Sequence, residues 1–445
     1  MLNLLNHLKT FPQGGVHPDD NKLSAKSHIQ EISLPKIVYI PISQHIGKPA
    51  EPLVERGDTV KAGQIIAVHE GFVSANIHAS VSGKVGKVEE IMDSSGFKKM
   101  AIAIRVKGDD WEEGIDRTPG LVKEIELNKK EILAKIMEMG VVGQGGAAFP
   151  SHVKLSVPEG KSADHLIVNG VECEPYLTAD HRLMLEKPEE ILVGTQILMK
   201  SLGVENAIIG IENNKKDAIK LLKKKSKDYR GIKIASLKVQ YPQGGEKQLI
   251  KALLNREVPP GGLPIDVGCV VHNVGTTFSV YQAVQKNKPV IERVVTVTGK
   301  GLEKPSNFWV RVGTPVSHLI DAAGGLPENT GKVVSGGPMM GKALADISVP
   351  IAKATSGILI IPEYEAKRAK EYNCIRCGKC VEACPMGLEP FHMMLLAKKG
   401  FYEKAKEDNI MDCIECGSCS FECPSNRPIV DYMRLGKIMV KKLNN

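Results

Sequence analysis

The sequence predicts a multidomain α/β protein, and three observations carry that prediction. The chain has 445 residues, more than one ordinary hydrophobic core organises, so two to four domains are expected. From about residue 127 to 290, short apolar strands alternate with amphipathic helical stretches, the pattern of a parallel sheet covered by helices. Eight of the ten cysteines fall in the last quarter of the chain, in two runs of identical spacing, which marks off a separate C-terminal module.

Composition narrows the class. Hydrophobic residues make up 42% and charged residues 25%, the balance of a globular protein. No window of about 18 apolar residues occurs, so no transmembrane helix is expected. The opening "MLNLLNHLKTFPQGG" lacks the charged start and apolar run of a signal peptide, so a cytoplasmic location is expected. The net charge is +8. Its densest run, "NNKKDAIKLLKKKSKDYRGIK", holds Ala218, Ile219, Leu221 and Leu222 at helical spacing, so the lysines read as the solvated face of one amphipathic helix. Aromatic residues are 4% and do not interleave with the basic ones, which argues against nucleic acid.

The elements follow in order. After an N-terminal segment, 1–37, residues 38–110 show short β-rich runs punctuated by glycine: "IVYIPI", "EPLVERGDTVKAGQIIAVHE", "GFVSANIHASVSGKVGKVEEI". These resemble the barrel-sandwich domain of biotinyl and lipoyl carriers. Carriers present a modified lysine within the stretch matching "ANIHAS", where this chain has His78 and no lysine. The expected role is therefore structural or docking. In the α/β domain, 120–290, the helix "KKEILAKIMEMG" leads into "VVGQGGAAFP". "HLIVNG", "NAIIGIE" and "IKIASLKVQYP" read as strands, with helices between and after them. "GQGGAA" satisfies G-x-G-x-x-G/A on paper. A helix precedes it and Pro150 soon follows, so the dinucleotide fingerprint fails on context. Its small residues suit either a plain connecting loop or a backbone that lies against a phosphate or a flat ring, with Lys154 nearby as a cation.

The cysteines are the strongest signal. "CIRCGKCVEACP" and "CIECGSCSFECP" each read C-x2-C-x2-C-x3-C-P, the spacing of two-cluster bacterial ferredoxins. Three close thiolates wrap one cubane and the fourth reaches the other. One [4Fe–4S] cluster is thus assigned to Cys374, Cys377, Cys380 and Cys423, and the second to Cys413, Cys416, Cys419 and Cys384. Structural zinc does not use this three-plus-one pattern with proline twice, and disulfides do not suit a cytosolic chain. Helical periodicity between the motifs predicts a spacer that fixes their separation. Cys173 and Cys269 stand apart and read as small buried hydrophobes.

"GQGGAAFPSHVK", "NGVECEP", "YPQGGEKQL" and "HNVGT" together resemble the flavin- and NADH-binding subunit of respiratory complex I. "VVTVTGKGLEKPSNFWVRVGTPVSHLIDAAGG" and "VSGGPMMGKAL" continue the match as its β-grasp domain, here 291–350. Two clusters at the C-terminus, 365–440, and the barrel-sandwich in front are similar instead to the C subunits of Rnf electron-transport complexes, over Phe11 to Asp431. The fold class implied is an N-terminal β barrel-sandwich, a Rossmann-like α/β flavin domain, a β-grasp domain and an α-helical two-cluster ferredoxin-like domain. The resemblance implies FMN and NAD(H) beside the clusters. Gly143, Gly145 and Gly146 match the loop against the flavin, Phe149 an aromatic near the nicotinamide, and Lys154 a cation beside the cofactors. Asn169, Glu172 and Glu174 match the flavin-edge loop, Glu246 the NADH side, and Asn273 with Thr276 the flavin-phosphate loop. The chain departs from complex I at Val142 and Gln144, where that family has arginines, at Val171, where it has aspartate, and at Gly245, where it has glutamate.

The function implied is hydride exchange between NADH and FMN, followed by one-electron transfer through the clusters towards a ferredoxin-type redox partner. Membrane-embedded partner subunits couple this to ion transport and hold the chain at the cytoplasmic face. No side chain is assigned as general acid or base. Two alternatives stay open at this point: a cobalamin reductase of diol-utilising microcompartments, and an electron-transfer scaffold without flavin. The tail "RPIVDYMRLGKIMVKKLNN" is amphipathic and reads as a docking element or an ordinary surface helix.

Overall fold

The computed structural model describes residues 8–443. Residues 1–7, part of the stretch read for a signal peptide, and 444–445, the end of the basic tail, lie outside the described residues.

An extended arm leads into a short strand, β1 (Ile29–Glu31). The next strands are β2 (Ile37–Pro41), β3 (Glu51–Pro52), β4 (Thr59–Val60), β5 (Ile65–Val68), β6 (Ile77–His78), β7 (Gly83–Met92) and β8 (Lys98–Val106). They form two small sheets, ordered β2-β8-β7-β4 and β3-β5-β6. Both sheets contribute to one apolar core that includes Val38, Ile40, Ile66, Ile77, Ile102 and Ile104. The stretch that carries the modified lysine in biotinyl and lipoyl carriers is here an internal contact. Residues 74–83 are all buried. Asn76 Nδ2 donates to the Glu138 carbonyl at 3.1 Å, and Ser80 Oγ to that of Val312 at 2.5 Å. Lys353 Nζ bridges the carbonyls of Asn76 and Gly140 at 2.9 and 2.7 Å. Burial holds His78 well below the usual imidazole range, so it sits neutral in this joint.

The central domain runs α1 (Lys129–Glu138), α2 (Ser151–Leu155), β9 (His165–Asn169), α3 (Ala179–Glu186), α4 (Pro188–Leu202), β10 (Asn206–Glu212), α5 (Lys216–Lys225), β11 (Ile232–Leu237), α6 (Glu246–Leu254), β12 (Cys269–Asn273) and α7 (Val274–Lys286). Local chemistry sets the helix ends. Asn128 and Glu131 form a reciprocal capping box at α1, a motif worth about 1 kcal/mol. Pro188 opens α4, and Gly203 closes it in the left-handed conformation. The four strands are parallel, in the order β11-β10-β9-β12. Their largely buried, near-continuous apolar runs suit a sheet covered on both faces. Successive strands step outward from β9 to β11, and the chain then returns to the other side of β9. The switch point therefore lies between β9 and β12, where Asn169 and Asn273 stand opposite each other at the carboxyl ends. The lysine-rich segment is the helix α5, which buries Ala218, Ile219 and Leu222, as its pattern predicts.

A mixed sheet follows: β13 (Glu292–Thr298), β14 (Ser306–Arg311), α8 (Val316–Ala322), β15 (Thr330–Ser335), β16 (Lys342–Ala343) and β17 (Gly357–Pro362). Its order is β1-β14-β13-β17-β15-β16, so strands from either side of the 291–350 segment complete it.

The last module holds α9 (Glu363–Ala366), α10 (Lys379–Glu382), α11 (Pro390–Lys399), α12 (Tyr402–Glu407), α13 (Ser418–Phe421) and α14 (Ile429–Leu443). The spacer between the cysteine runs is two helices, because Gly400 turns left-handed and ends α11. The C-terminal helix α14 packs on α11: Gly436 lets it approach Ala397 and Ile410, and Met433 and Val440 are buried. Much of the tail is thus part of the module's own core.

Candidate functional site

The glycine loop sits above the switch point. Gly143 donates its N–H to the Phe149 carbonyl at 2.9 Å, which closes the loop on itself. Gln144 N–H donates to Thr276 Oγ1 at 2.8 Å, and Gln144 Nε2 to Ser279 Oγ at 2.5 Å, both on α7. A Cβ on Gly145 would come 3.2 Å from Asn273 Cβ, whereas Gly146 holds a φ of +118° over open space. A side chain at Gly145 would crowd Asn273 at the start of α7, and one at Gly146 would be forced into a strained positive φ, so glycine leaves bare backbone at both. Asn273 caps α7 by accepting from Gly275 and Thr276 N–H at 2.8 and 3.4 Å, and donates to Asp180 at 2.6 Å. The barrel-sandwich braces the rim: Ile46 N–H donates to the Ala148 carbonyl at 3.2 Å, and the Phe72 carbonyl lies 3.0 Å from His152 Nε2.

Two cleft residues form an ion pair. Lys154 Nζ lies 2.7 Å from Glu246 Oε1 at the start of α6 and 3.0 Å from the Val271 carbonyl. His272 beside it is held down to about 3, by burial first and then by Lys154, so it serves as a neutral packing group and not as a base. Asn169 donates to the Gly244 carbonyl at 2.8 Å. Glu172 and Glu174 turn to protein amides. Glu172 caps α3 by accepting from Asp180 and His181 N–H at 2.7 and 3.1 Å. Glu174 accepts from Met339 and Met340 N–H at 3.2 and 2.8 Å, and burial pushes it up to about 7. The segment between them is pinned from below, where Lys22 Nζ donates to the carbonyls of Glu172, Glu174 and Leu177.

Of the positions where complex I is charged, Val142 is fully buried and the Gln144 side chain points into α7. A cation absent from the sequence-based site set lies behind the loop. Arg293 on β13 is buried, with its guanidinium 2.6 Å from the Lys353 carbonyl and 3.4 Å from that of Gln144. Its place in "ERVVTVT", a strand-like run, hid it. Bare backbone at Gly145 and Gly146, the α7 N-terminus, Lys154 and the switch-point position together fit a flat ring carrying a phosphate.

Of the eight module cysteines, four share one cavity, Cys380 neighbours Cys377 and Cys423, and Cys374 is exposed. Cys384, Cys413, Cys416 and Cys419 line one cavity together with Met386, Leu388, Ile414 and Met433. Burial raises the Cys419 thiol most, and the nearby charges of Cys413, Cys416 and Cys384 raise it further. The Cys413 thiol is pushed up to about 11 by burial, with Cys416 and Cys384 adding to it. Cys380 is raised by burial and then by Cys423 and Cys377. Crowded, desolvated thiols of this kind are costly to ionise unless a cationic centre takes them as ligands, which fits iron. Each loop supports its sulfurs with backbone. Arg376 and Gly378, and likewise Glu415 and Gly417, alternate into positive φ. Glu415 N–H donates to Cys413 Sγ at 3.4 Å, and Leu388 N–H to Cys384 Sγ at 3.4 Å.

The two sites nearly touch. Gly244, bonded to Asn169 through its carbonyl, donates its N–H to Cys173 Sγ at 3.4 Å. Cys173 packs in one cluster with Tyr241, Met339 and Cys416, and Tyr241 Oη donates to the Cys416 carbonyl at 2.8 Å. Cys269 is fully buried at the start of β12.

Comparison with known proteins agrees with this order of parts. Four family models match in sequence: the RnfC barrel sandwich hybrid domain over 9–109, the Nuo51 FMN-binding domain over 136–282, the SLBB domain over 294–343 and the 4Fe-4S dicluster domain over 365–424. The C subunit of the proton-translocating ferredoxin:NAD(+) oxidoreductase complex of Clostridium ljungdahlii is 49% identical over 96% of this chain and 93% of its own length. The chain belongs to the RnfC family. The Na(+)-translocating counterpart from Acetobacterium woodii is 43% identical over 96% of both chains. The C subunit of the ion-translocating oxidoreductase complex of Rhodobacter capsulatus is 42% identical over 98% of this chain and 84% of its own. In this RnfC family member, the glycine-loop cleft falls within the FMN-binding match, and all eight module cysteines fall within the dicluster match, Cys423 at its edge. No described helix is long and apolar enough to cross a membrane.

Proposed function

We propose that the chain is the peripheral NADH-oxidising and NAD-reducing subunit of a membrane electron-transport complex, exchanging electrons with a ferredoxin-type partner while other subunits move the coupling ion. Bound FMN supplies the conversion between a hydride and single electrons, and two [4Fe–4S] clusters carry those electrons singly. The chain's own residues position and insulate. Gly143, Gly145 and Gly146 present backbone to the ring system; Asn273 and Thr276 order the α7 terminus towards the phosphate. Lys154 and Glu246 form the polar rim for the nicotinamide substrate, with Phe149 as its apolar neighbour. Cys374, Cys377, Cys380 and Cys423 hold one cluster, and Cys384, Cys413, Cys416 and Cys419 the other. The domain limits are 38–110, 120–290, 291–350 with β1 and β17 added to its sheet, and 365–440, and the complex holds the chain at the cytoplasmic face.

One observation carries this reading. Asn169, Gly244 and Cys173 form a bonded run from the glycine-loop cleft to the Tyr241–Cys416 contact. A scaffold without flavin has no need of a cleft so close to buried thiols. The test is an anaerobic NADH titration of the FMN- and cluster-loaded chain. Bleaching of flavin absorbance together with new paramagnetic cluster signals is the expected result. Intact clusters with no flavin retained and no response to NADH would leave only an electron-carrying scaffold.

A further inference from the structure

The two cysteine loops repeat position for position at an offset that aligns Cys374 with Cys413, but only one of them is covered. In the second loop, Ile414 packs against the buried cluster of Val16, Tyr241, Ala383 and Cys416, and a Cβ on Gly417 would meet the Met339 carbonyl at 2.9 Å. The matching residues of the first loop face outward: Ile375 is 67% exposed, and Cys374, Arg376 and Cys377 are exposed with it. Residues 367–377 are exposed without a break. The charge also inverts. The stretch 367–379 carries Lys367, Arg368, Lys370, Arg376 and Lys379 against Glu371, whereas the aligned stretch 406–418 has Lys406 against Glu407, Asp408, Asp412 and Glu415. Lys367 and Arg368 reach back to Glu363 and Asp431, yet their side chains stay 79% and 73% exposed.

From this we infer that the face around Cys374, Ile375 and Cys377 is the docking surface for an acidic iron–sulfur protein that exchanges single electrons with the first cluster. The inference rests on the proposed function and adds the place and chemistry of the partner. Ile375 fills the role on the partner's surface that Ile414 fills against this chain's own central domain. The basic rim selects an acidic face and speeds its encounter. Exposed sulfur ligands at the centre of the patch bring the partner's redox centre within transfer range, and a lipid surface could not use that feature. In each encounter the partner loses one electron and this chain gains one, or the reverse; no bond is made and no proton moves.

The test uses the full chain with FMN and both clusters, mixed anaerobically in stopped flow with a pre-reduced acidic two-[4Fe–4S] bacterial ferredoxin. For the unaltered chain, raising NaCl from about 0.05 to about 0.5 M should slow cluster reduction about tenfold. Lys367→Glu with Lys370→Glu should slow it about tenfold at low salt, while NADH bleaches the flavin at the unaltered rate and both cluster signals persist. A rate indifferent to salt in the unaltered chain overturns the inference, whatever becomes of the variant. So does sedimentation with phosphatidylglycerol vesicles that the double variant loses while its ferredoxin rate holds. If NADH fails to bleach the flavin of the unaltered chain but the salt-dependent ferredoxin rate is present, the nicotinamide function falls and the docking surface stands.

Discussion

Cys374 to Cys380 and Cys413 to Cys419 share spacing, turn geometry and the isoleucine after the first cysteine, and they meet the rest of the protein in opposite ways. The second loop is roofed by Tyr241 from the central domain, Met339 from the SLBB domain and Val16 from the arm. The first has solvent over it. Local sequence thus decides how a loop wraps its metal, and tertiary cover decides what that metal can communicate with. A buried centre exchanges electrons inside the molecule; an exposed one serves the outside.

The sharpest way to break this comparison is to remove one thiol. Cys384 lies in the first motif but borders the cavity of the second set. Cys384→Ala should abolish the paramagnetic signal of the covered cluster, cut NADH-driven reduction of the exposed one more than about a hundredfold, and leave the exposed cluster reducible by dithionite. Loss of the exposed cluster's signal alone would overturn the crossed pairing.

A smaller effect is expected from the roof. Tyr241 is 2% exposed, so Tyr241→Ala should destabilise the chain by about 3–5 kcal/mol. Tyr241→Phe removes only the bond to the Cys416 carbonyl and should cost about 1 kcal/mol. Chemical denaturation measures both, and the Phe variant should shift the spectrum of the covered cluster without moving that of the exposed one.

The smallest effect concerns Glu174, which holds Met339 and Met340 over the second loop and has no counterpart at the first. Its folded pKa of about 7 lies above the ordinary glutamate value of 4.5 because burial disfavours the carboxylate. The folded state therefore binds the proton more tightly, and this contribution to stability is present below the unfolded pKa and is lost as pH rises through about 7. Melting curves between about pH 5 and 8 should show Glu174→Gln lacking that decline, by a few degrees at most.

The motifs with a repeating local pattern are readable from sequence. The cysteine spacings, the alternation of β9 to β12 with helices, and the small residues at 143–148 each reflect a constraint that neighbouring residues satisfy together. Features fixed by distant contacts are not. "IQE" carries no strand periodicity, yet Ile29–Glu31 pairs with Asn307–Trp309 to complete a sheet. Arg293 reads as an ordinary strand residue until Lys353 and Gln144 bring their carbonyls to it. The missing lysine at His78 points to a structural or docking role, but only the folded chain shows what the stretch docks on, the Glu138 and Val312 carbonyls. The sequence marks Glu172 and Glu174 as flavin-edge acids, but what their side chains bond to becomes visible only with α3 and the Met339 turn in place.

The arm before β1 adds an ordering in time. Lys9 bridges to Leu237, Val16 to Tyr241, Gly15 N–H donates to the Ala383 carbonyl at 3.0 Å, and a Cβ on Gly14 would meet the Cys384 backbone at 2.5 Å. Half of their seat, Leu237 and Tyr241, belongs to the central domain, and the other half, Ala383 and Cys384, to the iron-binding module. The arm consequently closes over the seam only when the central domain and the iron-binding module have come together, so its fastening reports their docking.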